Sequence, residues 1–465
     1  MTDFSTMLQP DKGQPARTIH ISDKAGFDDW IKAQPERARV AVAAQTLKPD
    51  GYAHAILPGD AADDWSVVTI VANVHSLSSW CLARLAAVLP PGTYRLANGG
   101  EPGIAMFGWA SAQHRFTRYK GGSEHQEPRI LLSSDPVRIA ATIAEVAAVC
   151  MVRDLVDTPA SDMGPAELEE AAHSIARAHK AQFHVTKGDT LAAEFPLVHG
   201  VGKAAARDRA PRLIEIKHGR EGAPLVAIIG KGVTFDSGGL DIKTATGMTL
   251  MKKDMGGAAH ALALASLILQ SGLPVRLHLI IPLAENSIAG EAMRPGDILI
   301  SRKGLSVEID NTDAEGRLIL ADALTLACEG APDLIIDFAT LTGAARVALG
   351  PDLPPLFSND DALAEAILAG GTANDDPLWR MPLWGGYDEM LKSDIADLTN
   401  SPSGGFAGAI TAALFLQRFV SEGTPWAHID TFAWRPVAKP GRAKGGAALG
   451  LRACWAMLTT RYRLR

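Results

Sequence analysis

The sequence predicts an α/β protein of two domains, a larger C-terminal domain with a mostly parallel central sheet flanked by helices and a smaller α/β N-terminal domain. Its 465 residues exceed what one ordinary hydrophobic core organises. Apolar residues make up 47% and charged residues 21%, which is typical of a globular chain. From about residue 160 onward, short apolar runs alternate with Ala/Leu-rich segments, which is the rhythm of β-α-β units.

The N-terminal region is predicted to contain short strands and helices. Apolar runs such as Val67–Val71 alternate with polar linkers, and Trp80–Leu89 has the composition of a helix. The polar stretch Gly121–Pro128 is predicted to be a loop. Apolar residues recur at helical spacing from Asp135 to about Val156, and Thr158-Pro159 ends the pattern. The predicted division is residues 1–134, a linker helix over 135–158, and the larger domain over 159–465.

The larger domain is predicted to have a parallel sheet. The predicted strands are Pro224–Ile229, Val275–Leu283, Val307–Asp310 and Leu334–Leu341, and the predicted helices are Gly256 to about Gln270 and Leu318–Cys328. Ligands of such sheets bind beyond the carboxyl ends of the strands. We therefore expect the functional residues in the loops that follow these strands.

Composition and charge argue against several classes of protein. The net charge of −7 disfavours a nucleic-acid-binding surface, and the basic end Arg461–Arg465 is interpreted as solvated. The four cysteines lie far apart, which suits a reducing compartment rather than a disulfide framework. We see neither a secretory leader nor an apolar run of the ~20 residues that cross a bilayer. A cytoplasmic protein without a membrane segment is expected.

Two loops of the larger domain carry candidate ligands. Gly230–Gly239 is glycine-rich and contains Lys231 and Asp236, but its spacing matches neither a phosphate loop nor a dinucleotide fingerprint. A plain strand-to-helix connection explains it about as well. Asp254 precedes the helix that starts at Gly256, and its simplest role is to offset the helix dipole.

The segment Asn311–Leu318 is the most informative. Thr312 and Glu315 have the spacing of a capping box ahead of a helix, which needs no further function. A capping box does not require Asp313, Gly316 or Arg317, however. In an extended loop, Asp313 and Glu315 project to the same side, as metal ligands do.

Together these loops bring carboxylates to one edge of the sheet. The acids are Asp236, Asp254, Asp313 and Glu315, and the accompanying cations are Lys231, Lys243 and Arg317. Four adjacent acids without compensation are unfavourable, and one or more would stay protonated. Two divalent cations remove this penalty and leave a small positive charge, which suits a bound hydroxide or an anionic intermediate.

These residues resemble the leucyl aminopeptidase family, cytosolic dinuclear zinc or manganese peptidases. The similarity extends from about Val152 to about Asp430, and Asn311–Leu318 is its most specific part. Other matching segments are Met293–Asp297, Ala339–Gly343 and Trp426–Asp430. The resemblance implies that 159–465 is a catalytic metallopeptidase domain, that the enzyme hydrolyses N-terminal residues from peptides, and that it is a homohexamer.

The resemblance also implies a role for each candidate ligand. Asp236 and Glu315 would be shared by both metal ions. Lys231, as a neutral amine, and Asp254 would complete one site, and Asp313 would complete the other through its side chain and carbonyl. A water held between two metals becomes nucleophilic, and one metal would hold the free amine of the substrate. Zn²⁺ and Mn²⁺ both suit such ligands.

Two further residues would act on the substrate. Lys243 would polarise the scissile carbonyl and stabilise the tetrahedral intermediate. Arg317 would hold a bicarbonate ion that acts as general base. The run Leu240–Thr244 differs from the Ser-Ile-Lys-Pro usual in the family, so the loop around Lys243 is expected to differ.

The specificity pocket is expected to depart from the family. The pocket positions are Met251, Thr340, Leu341, Gly343 and Phe432. Phe432 stands where the family usually has alanine, and we expect a weaker preference for leucine and a shift toward small or differently shaped residues. The alternative is that Phe432 points into the core.

Other functions are less well supported by the sequence. It contains neither H-E-x-x-H nor G-x-S-x-G, which disfavours a helical zinc protease and an α/β-hydrolase. His260, His278 and His428 are interpreted as structural. Two alternatives stay open, a DNA-binding or regulatory protein of the same family and a metal-free assembly unit.

Overall fold

The chain folds as two units. The computed structural model describes residues 2–61, 63–120, 127–402 and 404–463. One unit comprises Met1–Cys150 and Val437–Lys444, and the other comprises Met151–Pro436 and Gly445–Arg465. Positions 121–126 of the predicted loop and the last two residues of the basic end lie outside the described residues.

The first unit is built on a largely parallel sheet. Its strands are β1 (Leu8–Pro10), β2 (Arg17–Ser22), β3 (His54–Pro58), β4 (Trp65–Ile70), β5 (Gly92–Leu96) and β6 (Arg129–Ser133). Its helices are α1 (Phe27–Lys32), α2 (Glu36–Ala44), α3 (Ala83–Val88) and α4 (Ala105–Ser111). The strand order is β1-β6-β5-β2-β4-β3, in which β3 and β4 are antiparallel and the other pairs are parallel. Apolar side chains of α1 and α2 pack against β3 and β4.

The helix predicted between the domains is present as α5 (Pro136–Asp157). The boundary between the two units falls within it, after Cys150. Thr158 caps its end, because the Thr158 hydroxyl donates to Asp154 O at 2.7 Å. The sequence-based division at residues 134 and 158 stays a prediction.

The second unit contains the remaining elements. Its strands are β7 (Gln182–Lys187), β8 (Arg212–His218), β9 (Leu225–Gly230), β10 (Gly232–Asp236), β11 (Arg276–Asn286), β12 (Ile298–Ile300), β13 (Ser306–Glu308), β14 (Leu334–Ala339), β15 (Pro355–Ser358), β16 (Trp379–Arg380), β17 (Leu398–Thr399), β18 (Trp426–Asp430), β19 (Trp434–Arg435) and β20 (Gly445–Gly446). Its helices are α6 (Pro165–Ala178), α7 (Gly188–Glu194), α8 (Pro196–Gly202), α9 (Ala245–Met248), α10 (Gly256–Ser271), α11 (Glu315–Glu329), α12 (Gly343–Leu349), α13 (Asp361–Ala373), α14 (Gly408–Gln417) and α15 (Leu451–Arg461).

The centre of this unit is a parallel sheet buried on both faces. The strand order is β16-β15-β18-β14-β9-β11-β8-β7, and β10 pairs with β11. The central strands β18, β14, β9 and β11 are mutually parallel. Every residue of β14 and β18 is buried, as expected for strands covered by helices on both sides. The α/β fold predicted from the sequence, with its mostly parallel central sheet, is therefore confirmed.

Helix α10 lies close against this sheet. A Cβ atom at Gly257 would lie 2.2 Å from Phe338 O, so a larger residue there would force the helix away from β14. This close contact brings the segment just before α10, which contains Asp254, to the end of the central strands.

The sequence predicted most elements of the second unit and misplaced some boundaries. The strands at β9, β11 and β14 and the helices α10 and α11 are confirmed. Helix α11 begins at Glu315, three residues before the predicted start, and the glycine-rich segment contains a strand, β10, that the sequence did not predict. Among the described residues, no helix combines the length and the apolar character that crossing a bilayer requires.

Candidate metal centre

The candidate residues lie where parallel strands end. Lys231 directly follows β9, Asp236 is the last residue of β10, and Thr340 directly follows β14. Because parallel strands share their direction, these residues meet at the carboxyl edge of the sheet. The segment that precedes α10 and the turn that precedes α11 reach the same edge and add further acidic side chains.

Lys231 is buried between two of the carboxylates. Its Nζ lies 2.7 Å from Asp254 Oδ2 and 2.8 Å from Glu315 Oε1. Burial lowers the pKa of this amine, but Asp254 and Glu315 outweigh burial and hold the pKa above its usual range. Without a metal ion, Lys231 is therefore an ammonium group that partly neutralises the acids. A cation bound to the same carboxylates would remove the cause of the raised pKa.

Gly316 makes room for this lysine. A Cβ atom at Gly316 would lie 2.6 Å from both Cε and Nζ of Lys231. Any larger residue at this position would displace the amine from Asp254 and Glu315. The glycine in the motif Asn311–Leu318 is thus explained by the approach of a lysine from another strand end.

Three carboxylates form a cluster that suits a cation. One oxygen from each of Asp236, Asp313 and Glu315 lies within 4.8 Å of the others. Burial, followed by the charge of Asp236, raises the pKa of Glu315 to about 8 and that of Asp313 to about 6. In the metal-free protein, protons on these acids therefore reduce the repulsion between the carboxylates. Divalent cations would reduce the same repulsion without protonation.

Two buried oxygens in this group lack a hydrogen bond among the described residues. They are Asp254 Oδ2 and Glu315 Oε1, which contact Lys231 Nζ without the alignment of a hydrogen bond. Buried carboxylate oxygens are normally hydrogen-bonded or bound to metal. The unsatisfied oxygens, the single amine and the cluster of acids together fit divalent-metal coordination.

The orientation of Asp236 is fixed by groups that the sequence did not single out. Its Oδ1 accepts from Gly238 N at 2.8 Å and from Asn286 Nδ2 at 2.9 Å. Asn286 ends β11 and also donates to Thr312 O at 3.1 Å. Asn286 lies beyond the predicted strand Val275–Leu283, and nothing in the sequence around it marked it as part of the site.

The capping-box interpretation of Thr312 and Glu315 is wrong. Helix α11 begins at Glu315, and the Thr312 hydroxyl donates to Gly238 O at 2.6 Å instead of capping the helix. Glu315 belongs to the first turn of the helix rather than to an extended loop, and it meets Asp313 because the chain turns between them. Asn400 holds this turn, since its Nδ2 donates to Asn311 O at 2.7 Å.

Asp254 does more than offset a helix dipole. It lies in a short 3-10 helix before α10, and its side chain is buried. Its Oδ1 accepts from the Thr340 hydroxyl at 2.8 Å, and its Oδ2 faces Lys231. The charge of Lys231 lowers the pKa of Asp254 to about 2 although burial opposes this. Its carboxylate adjoins the cluster through Lys231, which also contacts Glu315.

Lys243 and Arg317 occupy different environments. The Nζ of Lys243 lies 2.8 Å from Asp236 Oδ2 and also contacts Asp313. Arg317 is buried, its Nη1 donates to Asn400 O at 2.7 Å, and burial lowers its pKa to about 10. Its Nε has no partner among the described residues, and Arg317 does not line the cavity described next.

A cavity of about 320 Å³ lies beside the carboxylates. The predicted residues that line it are Lys231, Asp236, Lys243, Met251, Asp254, Asp313, Glu315, Thr340, Leu341, Gly343 and Phe432. The ring of Phe432 is half-buried and lines the cavity rather than the core. Ala433, the next residue, has φ of 53°, a conformation that glycine adopts more easily.

The three histidines are structural, as predicted. His260 contacts Gly256 O at 2.7 Å and accepts from Leu449 N at 3.0 Å. His278 lies 2.7 Å from Glu215 Oε2, and His428 lies 2.5 Å from Asp337 Oδ1. Each ring is buried and has a hydrogen-bonding partner outside the carboxylate cluster.

Comparison with known proteins agrees with this geometry. Residues 150–455 match the catalytic domain of the cytosol aminopeptidase family, and residues 18–132 match the M17 aminopeptidase N-terminal domain. A probable cytosol aminopeptidase of Geobacter sp. (strain M21) is 40% identical over 379 residues, which cover 79% of this chain and 75% of that protein. One from Roseiflexus castenholzii is 42% identical and covers 73% and 72%.

Solved structures show the same fold. The cytosol aminopeptidase from Coxiella burnetii superposes with a TM-score of 0.92 at 43% identity, covering 98% of this chain and 99% of that one. The bottromycin maturation enzyme BotP, in complex with Mn, gives a TM-score of 0.84 at 30% identity over 97% and 100%. The chain is an aminopeptidase and belongs to the cytosol aminopeptidase family of metal-dependent peptidases.

Proposed function

We propose that this aminopeptidase removes N-terminal residues from peptides with two divalent cations, Zn²⁺ or Mn²⁺, bound at the carboxylate cluster. Asp236 and Glu315 would be shared ligands, Lys231 and Asp254 would complete one site, and Asp313 would complete the other. The observation that carries this proposal is the pair of buried oxygens without hydrogen bonds, on Asp254 and Glu315, beside two further acidic groups, Asp236 and Asp313. When bound, two such cations supply a water of lowered pKa and a Lewis acid for the carbonyl.

The protein's own groups orient these ligands. Asn286 and Gly238 N hold one oxygen of Asp236, and the other faces Lys243 and the cluster. The Thr340 hydroxyl does the same for Asp254. Hydrogen bonds of this kind, made to the ligands by groups that do not touch the metal, set the orientation of the carboxylates before metal binds.

We propose that Lys243 interacts with the carbonyl oxygen of the substrate. It lines the cavity and is only partly buried, so its ammonium can reach a bound substrate. Burial lowers its pKa, but Asp236 and the other acids outweigh burial, which keeps the ammonium charged. A fixed positive charge at this place stabilises the oxyanion of a tetrahedral intermediate.

Arg317 has a less direct role. Its buried Nε lacks a partner, which supports the proposal that it holds a small anion such as bicarbonate. Because it does not line the cavity, we propose that it acts through that anion rather than on the peptide. We also propose a cytoplasmic location, which the names of the relatives support. From the family we further propose a homohexamer, in which residues 159–465 of each subunit carry the chemistry.

Chelation and one matched pair of variants test the proposal. Hydrolysis of a leucyl arylamide should stop on chelation and return with Mn²⁺ or Zn²⁺. Asp254→Asn should lose metal and activity while the fold stays intact, because an anionic ligand becomes a weak neutral one. Asp310→Asn is the control, since Asp310 is exposed and does not line the cavity. Normal turnover of Asp254→Asn with a full metal complement would contradict the assignment.

A further inference from the structure

The cavity contains two cationic side chains that the proposed chemistry does not use. Arg346 lies on α12, Lys253 directly precedes Asp254, and both line the cavity. Both also lie against Phe432: Cζ of Arg346 is 4.4 Å from the centroid of the ring and Nζ of Lys253 is 5.4 Å from it. The face of an aromatic ring attracts cations, so Phe432 helps to hold both charges at this wall of the cavity.

Arg346 is not neutralised by the protein. Among the described residues, no carboxylate lies within 4.0 Å of its guanidinium. It is half-buried, which distinguishes it from an arginine that extends into solvent. A partly desolvated guanidinium that contacts a ring but no carboxylate of the described residues favours an anion that can accept two of its N–H groups.

The acids that line the cavity are already engaged. Asp430 accepts from Leu341 N at 2.9 Å and from the Thr342 hydroxyl at 2.6 Å. Asp254 faces Lys231 at 2.7 Å, whereas Lys253 Nζ lies 3.6 Å from its other oxygen. Lys253 is therefore shared with Asp254, and burial lowers its pKa, whereas the guanidinium of Arg346 stays available to a ligand.

The position of these cations points to the side chain of the first substrate residue. Phe432 and Gly343 are two of the predicted pocket positions. Arg346 Nη2 would lie 3.7 Å from a Cβ atom at Gly343, so the guanidinium lies beside both. A carboxylate on the substrate's first side chain would therefore meet the guanidinium, and Lys253 would add a second positive charge.

We propose that Arg346 and Lys253, held against Phe432, form an anion-binding specificity pocket, so that the enzyme prefers peptides that begin with glutamate or aspartate over their uncharged amides. The inference rests on the proposed function and names the substrate class of the same site. In this pocket the Phe432 ring provides a surface for two cations rather than merely occupying space.

The test compares substrates that differ only in charge. For the metal-loaded enzyme, kcat/KM should be at least about tenfold higher for a glutamyl than for a glutaminyl arylamide, since hydrogen bonds to charged groups are stronger than neutral ones. The same direction is expected for aspartyl over asparaginyl. Added salt should reduce the ratio, because a partly exposed charge pair is screened.

Variants assign the preference to Arg346. Arg346→Met should bring the glutamyl-to-glutaminyl ratio close to one, and Arg346→Lys should retain part of it because the charge remains. Val347→Met is the matched control: it is the next residue of α12, it is 88% exposed and it does not line the cavity, so the ratio should not change. Because the two substrates are compared within each variant, a change that lowers activity on both substrates equally leaves the ratio unchanged.

Three results would overturn the inference. The first is a wild-type glutamyl-to-glutaminyl ratio of one or less. The second is an unchanged ratio in Arg346→Met. The third is an Arg346→Met enzyme that loses activity on Leu-Gly but not on Leu-glycinamide, which would mean that Arg346 binds the terminal carboxylate of a dipeptide. Hydrolysis of leucyl substrates without any acidic preference contradicts the inference alone, whereas hydrolysis of no substrate contradicts the proposed function as well.

Discussion

Gly316→Ala should separate catalysis from stability more cleanly than any change of a charged residue. The added Cβ would lie 2.6 Å from Lys231 Nζ, whereas ordinary contact begins at 3.4 Å. The amine must therefore move by about 0.8 Å, the difference between these distances. A displacement of roughly 1 Å in an active site lowers the rate by ~100-fold, and we expect a loss of about that size in kcat/KM.

The stability of the same variant should change little. Gly316 is the second residue of α11, and alanine is favoured over glycine in helices by up to about 1 kcal/mol. This gain offsets the cost of moving the flexible end of a lysine. Steady-state kinetics, metal analysis and thermal unfolding should therefore show an enzyme that is folded and nearly inactive.

Two comparisons make the prediction specific. Gly290→Ala is the control, because a Cβ atom there meets nothing within 4 Å, and this variant should behave like the wild type. In a Lys231→Ala background, Gly316→Ala should cause no further loss, since both changes act on the same amine. Wild-type turnover and metal content in Gly316→Ala, or additive losses in the double variant, would show that the added methyl group does not act through Lys231.

The site leads to three other predictions. Burial and Asp236 raise the pKa of Glu315 to about 8, so its contribution to the stability of the metal-free protein is full below its unfolded pKa of about 4.5 and is lost as pH rises through about 8. The unfolding free energy of the chelated Glu315→Gln protein should therefore depend less on pH over this range, and an unchanged dependence would count against the raised pKa. Lys243→Ala should lower kcat with KM nearly unchanged, and a rise in KM alone would exclude a role restricted to the transition state. Phe432→Ala should raise kcat/KM for leucyl relative to alanyl substrates, and a constant ratio would show that the ring does not limit the pocket.

The sequence predicted the fold and the residues of the cluster because both follow from local patterns. The apolar run of β9 and the Ala/Leu-rich α10 need only hydrophobic burial to be recognised. Parallel strands then bring their following loops together, so Lys231 and Asp236 were expected near the carboxylates of other loops. The sequence placed Glu315 in the cluster but in the wrong local structure. Glu315 lies on the first turn of a helix rather than in an extended loop.

The residues that the sequence missed act through distant contacts. Asn286 and Asn400 are separated by 26 and 89 residues from the motif positions they hold, and nothing in their own surroundings marks them. A glycine is needed at position 316 because Lys231, which is 85 positions earlier in the sequence, lies against it. Arg346 acquires its importance from Phe432, a contact that only the folded chain brings about.

Anomalous scattering from crystals of the Mn²⁺-loaded enzyme would locate the proposed dinuclear centre. We expect two peaks at the carboxyl edge of the sheet, roughly 3.5–4 Å apart, with Asp236 and Glu315 between them and Lys231 beside one of them. A single peak, a pair of peaks elsewhere in the chain, or a cluster whose carboxylates bind no metal in an active enzyme would contradict it.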